Sequence, residues 1–150
     1  GVQIIKKMKR CPVLIVPEAF DFVVPKQIAF PTDFNCFYGD KELKPLKRLA
    51  DLYNAKIRIL HINVEKDLKD IQEYNLKLLK TYLNDYEHSF HWLPKYAKKT
   101  VEINDFIKEL NINILAMINY KHSFLESIIK EPTIKKIGFH PIIPFLVIPE

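Results

Sequence analysis

Pro144-Phe145-Leu146-Val147-Ile148-Pro149-Glu150 closes the chain, and Pro12-Val13-Leu14-Ile15-Val16-Pro17-Glu18 stands near its start. Both are apolar, β-branched runs fenced by prolines, the pattern of a short strand that is buried or lies at a sheet edge. A similar basic stretch precedes each: Ile5-Lys6-Lys7-Met8 before the first, Ile134-Lys135-Lys136-Ile137 before the second. A helix end plus strand that recurs about one domain's length apart reads as a duplication. Residues 1–25 are then the tail and linker of a preceding repeat, and 26–150 one complete domain. Glu18 to Pro25 can span about 26 Å at roughly 3.3 Å per residue, enough to cross two or three strands. Pro12 to Pro17 is therefore expected to add to the sheet beside Phe145 to Ile148 and cover that edge.

Between the two runs, strand and helix patterns alternate. Lys26 to Phe34 is a short apolar strand ending in a proline turn. Gly39-Asp40 opens a helix with Leu46, Leu49, Ala50 and Tyr53 on its core face and Pro45 in its first turn, where a missing N–H costs little. Lys56 to Val64 is a second strand. A long helix follows from about Lys66 to Tyr86, with Leu68, Ile71, Leu78, Tyr82 and Tyr86 on one stripe. Ser89 to Leu93 is a brief strand stopped by Pro94. Thr100 caps Val101 to Leu110, with Ile103, Phe106, Ile107 and Leu110 on a face. Ile112 to Tyr120 is nearly all apolar, as in a central parallel strand covered on both sides. Ser123 to Phe139 has a helical pattern broken at Pro132, and Phe145 to Ile148 ends the series.

This order is that of an α/β fold: an open, doubly wound, five-stranded parallel sheet with right-handed crossovers and helices on both faces, plus an extra edge strand from the N-terminus. Ligands of such sheets sit at the carboxyl ends of the strands, where the strand order reverses. That directs attention to Pro31 to Asn35, His61 to Val64 and Ile118 to His122.

Composition narrows the chemistry. The chain has 150 residues, enough for one domain with a substantial core, and is 48% hydrophobic and 27% charged, an ordinary globular balance. Only three glycines accompany ten prolines, so few positions can rely on glycine for a close backbone approach to a ligand. A net charge of +5 fits a lysine-rich solvated surface. The nearest approach to a nucleic-acid footprint is Lys95-Tyr96-Ala97-Lys98-Lys99, and nucleic acid is not the expected partner. Cys11 and Cys36 have no CxxC spacing and read as reduced thiols of a cytoplasmic protein. No run approaches the roughly 18 apolar residues of a membrane span. No signal peptide is read at the start, and Gly1 in place of Met reads as a trimmed chain.

At the inspected positions the chain resembles the universal stress protein family. Phe30-Pro31-Thr32-Asp33-Phe34 is similar to the family's first strand-to-loop motif, whose aspartate meets the adenine and ribose side of a nucleotide. Leu60-His61-Ile62 resembles the end of its second strand, which offers backbone groups to adenine. Pro144 to Ile148 resembles its closing strand, and Pro12 to Val16 that same strand in a preceding domain. The resemblance implies an adenine-nucleotide alpha-hydrolase-like fold and a candidate nucleotide cleft of Pro31, Thr32, Asp33, Ile62, Asn119, His122 and Thr133.

It also exposes a departure. Nucleotide-binding members carry G-x-x-G-x9-G-[ST] after the fourth strand, where glycines let backbone N–H groups close on phosphates. Here Asn119 replaces the first glycine, His122 the second, and Glu131 or Pro132 the third. No glycine lies between Gly39 and Gly138, so no shift of register restores the loop. Asp33 and Thr133 survive, Lys121 could attract an anion, and Asp33 could equally cap a turn. His61 reads as a strand histidine hydrogen-bonded within the domain. His88 and His91 would point to opposite faces of their strand, which argues against a shared metal. His122 has no acid beside it in sequence, and Ser123 and Ser127 read as solvent-facing. No metal cluster, nucleophile–base pair or redox motif stands out.

The expectation is a non-catalytic domain with a degenerate phosphate loop and no cofactor. It would act in stress response or regulation through self-association of the edge strands 12–17 and 144–149, or with another protein. The alternative is an ATP- or AMP-binding member in which Asp33 and Ile62 hold adenosine. A third possibility is an enzyme or nucleic-acid binder on the same scaffold.

Overall fold

The structure is a computed structural model and describes residues 11–18, 20–64, 67–94, 99–119 and 143–149, without the side chains of 62–64, 93–94 and 99–102. Nine elements are described: β1 (Val13–Ile15), β2 (Gln27–Thr32), α1 (Asp40–Tyr53), β3 (Lys56–Val64), α2 (Asp70–Tyr82), β4 (His88–Pro94), α3 (Lys99–Glu109), β5 (Ile114–Asn119) and β6 (Phe145–Pro149). The six strands form one sheet in the order β1-β6-β5-β2-β3-β4. Five are parallel, and β1 runs antiparallel to β6 with Leu14 opposite Leu146. The doubly wound sheet and its added N-terminal edge strand thus match the sequence reading.

Runs buried on both sides make the central strands. Ile28 to Thr32 in β2 and Ile114 to Ile118 in β5 are buried without interruption, as a strand between two helical layers must be. Two cores result. Ile103, Phe106 and Ile107 of α3 pack with Ala29, Leu60, Leu115, Met117 and Phe145 on one face. Leu43, Leu46 and Ala50 of α1 and Leu79 of α2 pack with Ile28, Phe30, Ile57, Ile59 and Ile118 on the other.

From β2 the chain winds through β3 and β4 to one side, then returns to β5 and β6 on the other, so the order reverses between β2 and β5. Their ladder pairs Ile28 with Ile114 and Ala29 with Leu115 and stops there. Pro31, two residues on, has no N–H to contribute. Beyond that point the described ladder no longer ties β2 to β5, and this is the switch point at which ligands of such sheets bind.

Several local expectations are corrected. The second helix is shorter than 66–86: it ends at Tyr82, and tight turns follow, with Asn84 N–H bonded to Thr81 O and Tyr86 N–H to Leu83 O. Its core face is the expected one only in part: Leu68, Tyr82 and Tyr86 pack against the core, but the middle of the stripe differs. Ile71 and Tyr74 are exposed, Leu78 is only half-buried, and Asn75, Leu79 and Leu83 are buried. Pro45 lies in the second turn of α1, since the helix starts at Asp40. Thr100 is inside α3 rather than at its cap. β4 is longer than expected and includes Pro94. The helical pattern of Ser123 to Phe139, with Pro132, lies outside the described residues, as do Lys95 to Lys98.

Candidate functional site

The switch point is flanked by the loop that leaves β2. Thr32 is buried, and its Oγ1 accepts the Phe34 N–H at 3.1 Å and bonds the Tyr38 hydroxyl. Burial holds the Tyr38 phenol well above its usual range, so it stays protonated. Asp33 Oδ1 accepts the Asn35 N–H at 2.9 Å, the side-chain turn anticipated as its structural role. Phe34 stands at φ 63°, uncommon for a bulky residue, yet is fully buried.

Two amides on α2 hold that conformation. Gln72 Nε2 donates to Asp33 O at 2.9 Å, and Asn75 Nδ2 donates to Phe34 O at 2.8 Å. Asn75 is 1% exposed, so the helix gives a core position to a polar side chain in order to satisfy the loop carbonyl. This explains why the middle of α2 turns Asn75 and Leu79, not Ile71 and Leu78, to the core. A reading that ranks positions by hydrophobicity passes over Gln72 and Asn75. The legible signal was two amides three apart on a helix otherwise apolar at that spacing.

Phe34 stacks on His61, with centroids 4.7 Å apart and planes at 23°, and Trp92 closes edge-on against His61 at 4.8 Å and 88°. Neither ring nitrogen of His61 has a hydrogen-bond partner among the described residues, although the side chain is buried. The expectation that His61 would be bonded within the domain is therefore corrected. The rings packed on it, Phe34 and Trp92, are its described neighbours instead. Burial pushes its pKa down and the nearby Asp33 carboxylate partly opposes this, so the ring is held neutral.

The remaining sequence candidates fall into three groups. Pro31 and Thr32 end β2, Asp33 follows directly, and Asn119 ends β5, the neighbouring strand. Ile62 lies on β3, beyond His61, with its side chain outside the description. His122 and Thr133, with Lys121 and Glu131, lie outside the described residues.

On the opposite face the structure assembles a polar ladder that the sequence reading lacks. Arg58 Nε donates to Gln27 Oε1 at 3.0 Å, Arg58 Nη1 donates to Ser89 Oγ at 2.7 Å, and Ser89 Oγ meets His91 Nε2 at 2.8 Å. A serine and a histidine two apart on a strand share a face, which is the spacing that could have revealed the pair. Burial first, and then the Arg58 cation, push the His91 pKa down. His88 bonds instead to the Tyr86 carbonyl at 2.8 Å. Among the described residues no group of three or more potential metal ligands assembles, and no helix is long and apolar enough to cross a membrane.

No protein-family model matches the chain, and neither does any curated protein. Solved structures do. A universal stress protein from Archaeoglobus fulgidus DSM 4304 superposes with a TM-score of 0.64 at 16% identity, over 93% of this chain and 50% of that one. Another from Archaeoglobus fulgidus gives 0.53 at 16% identity, over 83% of this chain and 94% of that one. The hypothetical protein MJ0577 gives 0.52 at 19% identity, over 85% and 98%. This chain thus has the fold found in universal stress proteins, and the resemblance read from its motifs holds at the level of the fold. It spans half the length of the first of these relatives.

Proposed function

We propose that this chain is a universal-stress-protein-like domain that works by association rather than catalysis and whose phosphate site has decayed. The observation that carries this reading is the state of the loop after β2. Thr32 Oγ1 and Asp33 Oδ1 both serve the loop's own backbone, and Asn119 stands where the family's loop begins with glycine. A side chain at that position keeps backbone amides from closing on phosphate oxygens. Glu131 and Pro132, read from sequence, work in the same direction.

Association is supported on the far side of the sheet. β1 covers β6 within the chain, leaving a short proline-flanked strand as the outer edge. If strands 12–17 and 144–149 mediate self-association, a second copy adds outside β1. The tandem reading, in which residues 1–25 end a preceding unit, agrees with this chain covering half of the first relative. The setting is cytoplasmic, in stress response or regulation.

Calorimetric titration with ATP, AMP and cyclic AMP tests the nucleotide half of the proposal. The expected result is no saturable heat at micromolar concentrations. The competing reading, ATP or AMP held by Asp33, draws on the carboxyl ends of β2 and β5, beyond the point where the two strands pair with each other. Micromolar binding that disappears on Asp33→Ala would establish it instead.

A further inference from the structure

On the α1 face of the sheet, a groove of 420 Å³ runs between α1 and the paired strands β1 and β6. Its floor is apolar: Pro12, Pro45, Leu49, Leu52 and Leu146. Its α1 wall is cationic, with Lys41, Lys44 and Arg48 three and four residues apart on one side of the helix. None of the three makes an ion pair among the described residues. Two of the helix's own carboxylates are engaged elsewhere, Glu42 against Gly39 and Asp51 accepting from the Tyr86 hydroxyl; the third, Asp40, is exposed in the first turn, one turn before Lys44.

The apolar floor continues past the groove. Leu14 pairs with Leu146 and shares its face, and Val16 is two residues further along. Leu14 is 53% exposed, Val16 55% and Leu52 72%. A contiguous apolar strip rimmed by charge marks an interaction surface. The spacing suits a helix. Packed helices lie about 8–10 Å apart and strands about 4.8 Å apart, so β6 and β1 together offer one helix berth beyond α1.

We propose that this berth takes an amphipathic helix of a protein partner, its apolar stripe on Leu146, Leu49 and Leu14 and its carboxylates along Lys41, Lys44 and Arg48. Charge selects the occupant. Residues 1–10 carry Lys6, Lys7, Lys9 and Arg10 and no carboxylate, a poor match to a cationic wall. The same face of a second copy would bring the same three cations. The proposal rests on the association reading above and gives that association a surface and a partner chemistry.

The test uses the whole chain and a fluorescent synthetic helical peptide of about five turns, with leucines on one stripe and glutamates flanking it. Its twin has lysine for every glutamate. The glutamate peptide should bind at micromolar Kd. Binding should weaken about tenfold or more for the Lys44→Glu/Arg48→Glu double variant and for the lysine twin. It should also weaken as salt rises from roughly 0.05 to 0.5 M. Both cations are exposed, so the variant should keep the parent's melting curve. Equal binding of the twins, parent-like binding by the double variant, or laurate binding without peptide binding would overturn the proposal. So would self-association that protects Leu52. Adding ATP to the same samples reads the nucleotide question separately. ATP binding would sink the decayed-site reading and leave the groove untouched, and peptide failure would do the reverse.

Discussion

Asn75 shows how a single residue can serve the site and the core together. It is buried on α2, and its amide carries the Phe34 carbonyl in a loop whose φ of 63° a phenylalanine would not otherwise adopt. Asn75→Leu should leave that carbonyl unpaired and cost about 1–3 kcal/mol in urea unfolding. Phe34→Ala should cost about 3–5 kcal/mol, because it empties the space against His61 and Trp92 without relieving the backbone. A Phe34→Ala loss under 1 kcal/mol would mean that the aromatic stack contributes little.

His61 makes the stability depend on pH. Its pKa is lowered by burial from an ordinary 6.5, so between the folded value and about 6.5 the unfolded chain binds more protons than the folded one. Its contribution is fully present above pH 6.5 and is lost as pH falls through the folded value. His91, lowered as well, acts in the same direction. His61→Phe keeps a ring between Phe34 and Trp92 and should flatten the decline in stability below pH 6.5. His91 should supply what slope remains. An unchanged acid limb in urea melts would contradict the neutral, unpartnered histidine.

Among the elements, β1 divides its side chains between two environments. Ile15 packs against the α3-side core while Leu14 is exposed on the other face. Ile15→Ala should cost up to about 2 kcal/mol, toward the lower end for such truncations because the site is only partly buried. Leu14→Ala should stay within about 0.5 kcal/mol. Equal effects would mean that the register of β1 on β6 is wrong. Deleting residues 1–18 uncovers the β6 edge and should lower the melting temperature or change the oligomeric state. No change in either would argue that β1 is incidental.

At the scale of the whole molecule, what could be read from sequence follows from periodicity. Fully apolar runs such as 114–118 and the strand–helix alternation yielded the parallel sheet, and the proline-fenced repeat yielded the extra strand. The face of α2 is legible at Leu68, Tyr82 and Tyr86 but not at its middle, where polar Asn75 takes a core position and apolar Ile71 points outward. Of the candidate site, the positions of Pro31, Thr32, Asp33 and Asn119 at or beside strand ends were legible from local motifs. The Gln72 and Asn75 clamp, the bare ring of His61 and the Ser89–His91 contact were not, because they depend on residues brought together by the fold. The cationic groove is of the same kind, since α1 meets β1 only through the sheet.

The central claim is that Asn119 and the side chains after it have replaced a phosphate cradle, leaving a domain that works through its surfaces. Native mass spectrometry of the freshly purified 150-residue chain tests it most directly, because it weighs co-purified nucleotide and counts subunits together. The account predicts masses of bare polypeptide with no added adenylate. A one-to-one ATP or AMP adduct that is lost on Asp33→Ala would contradict it.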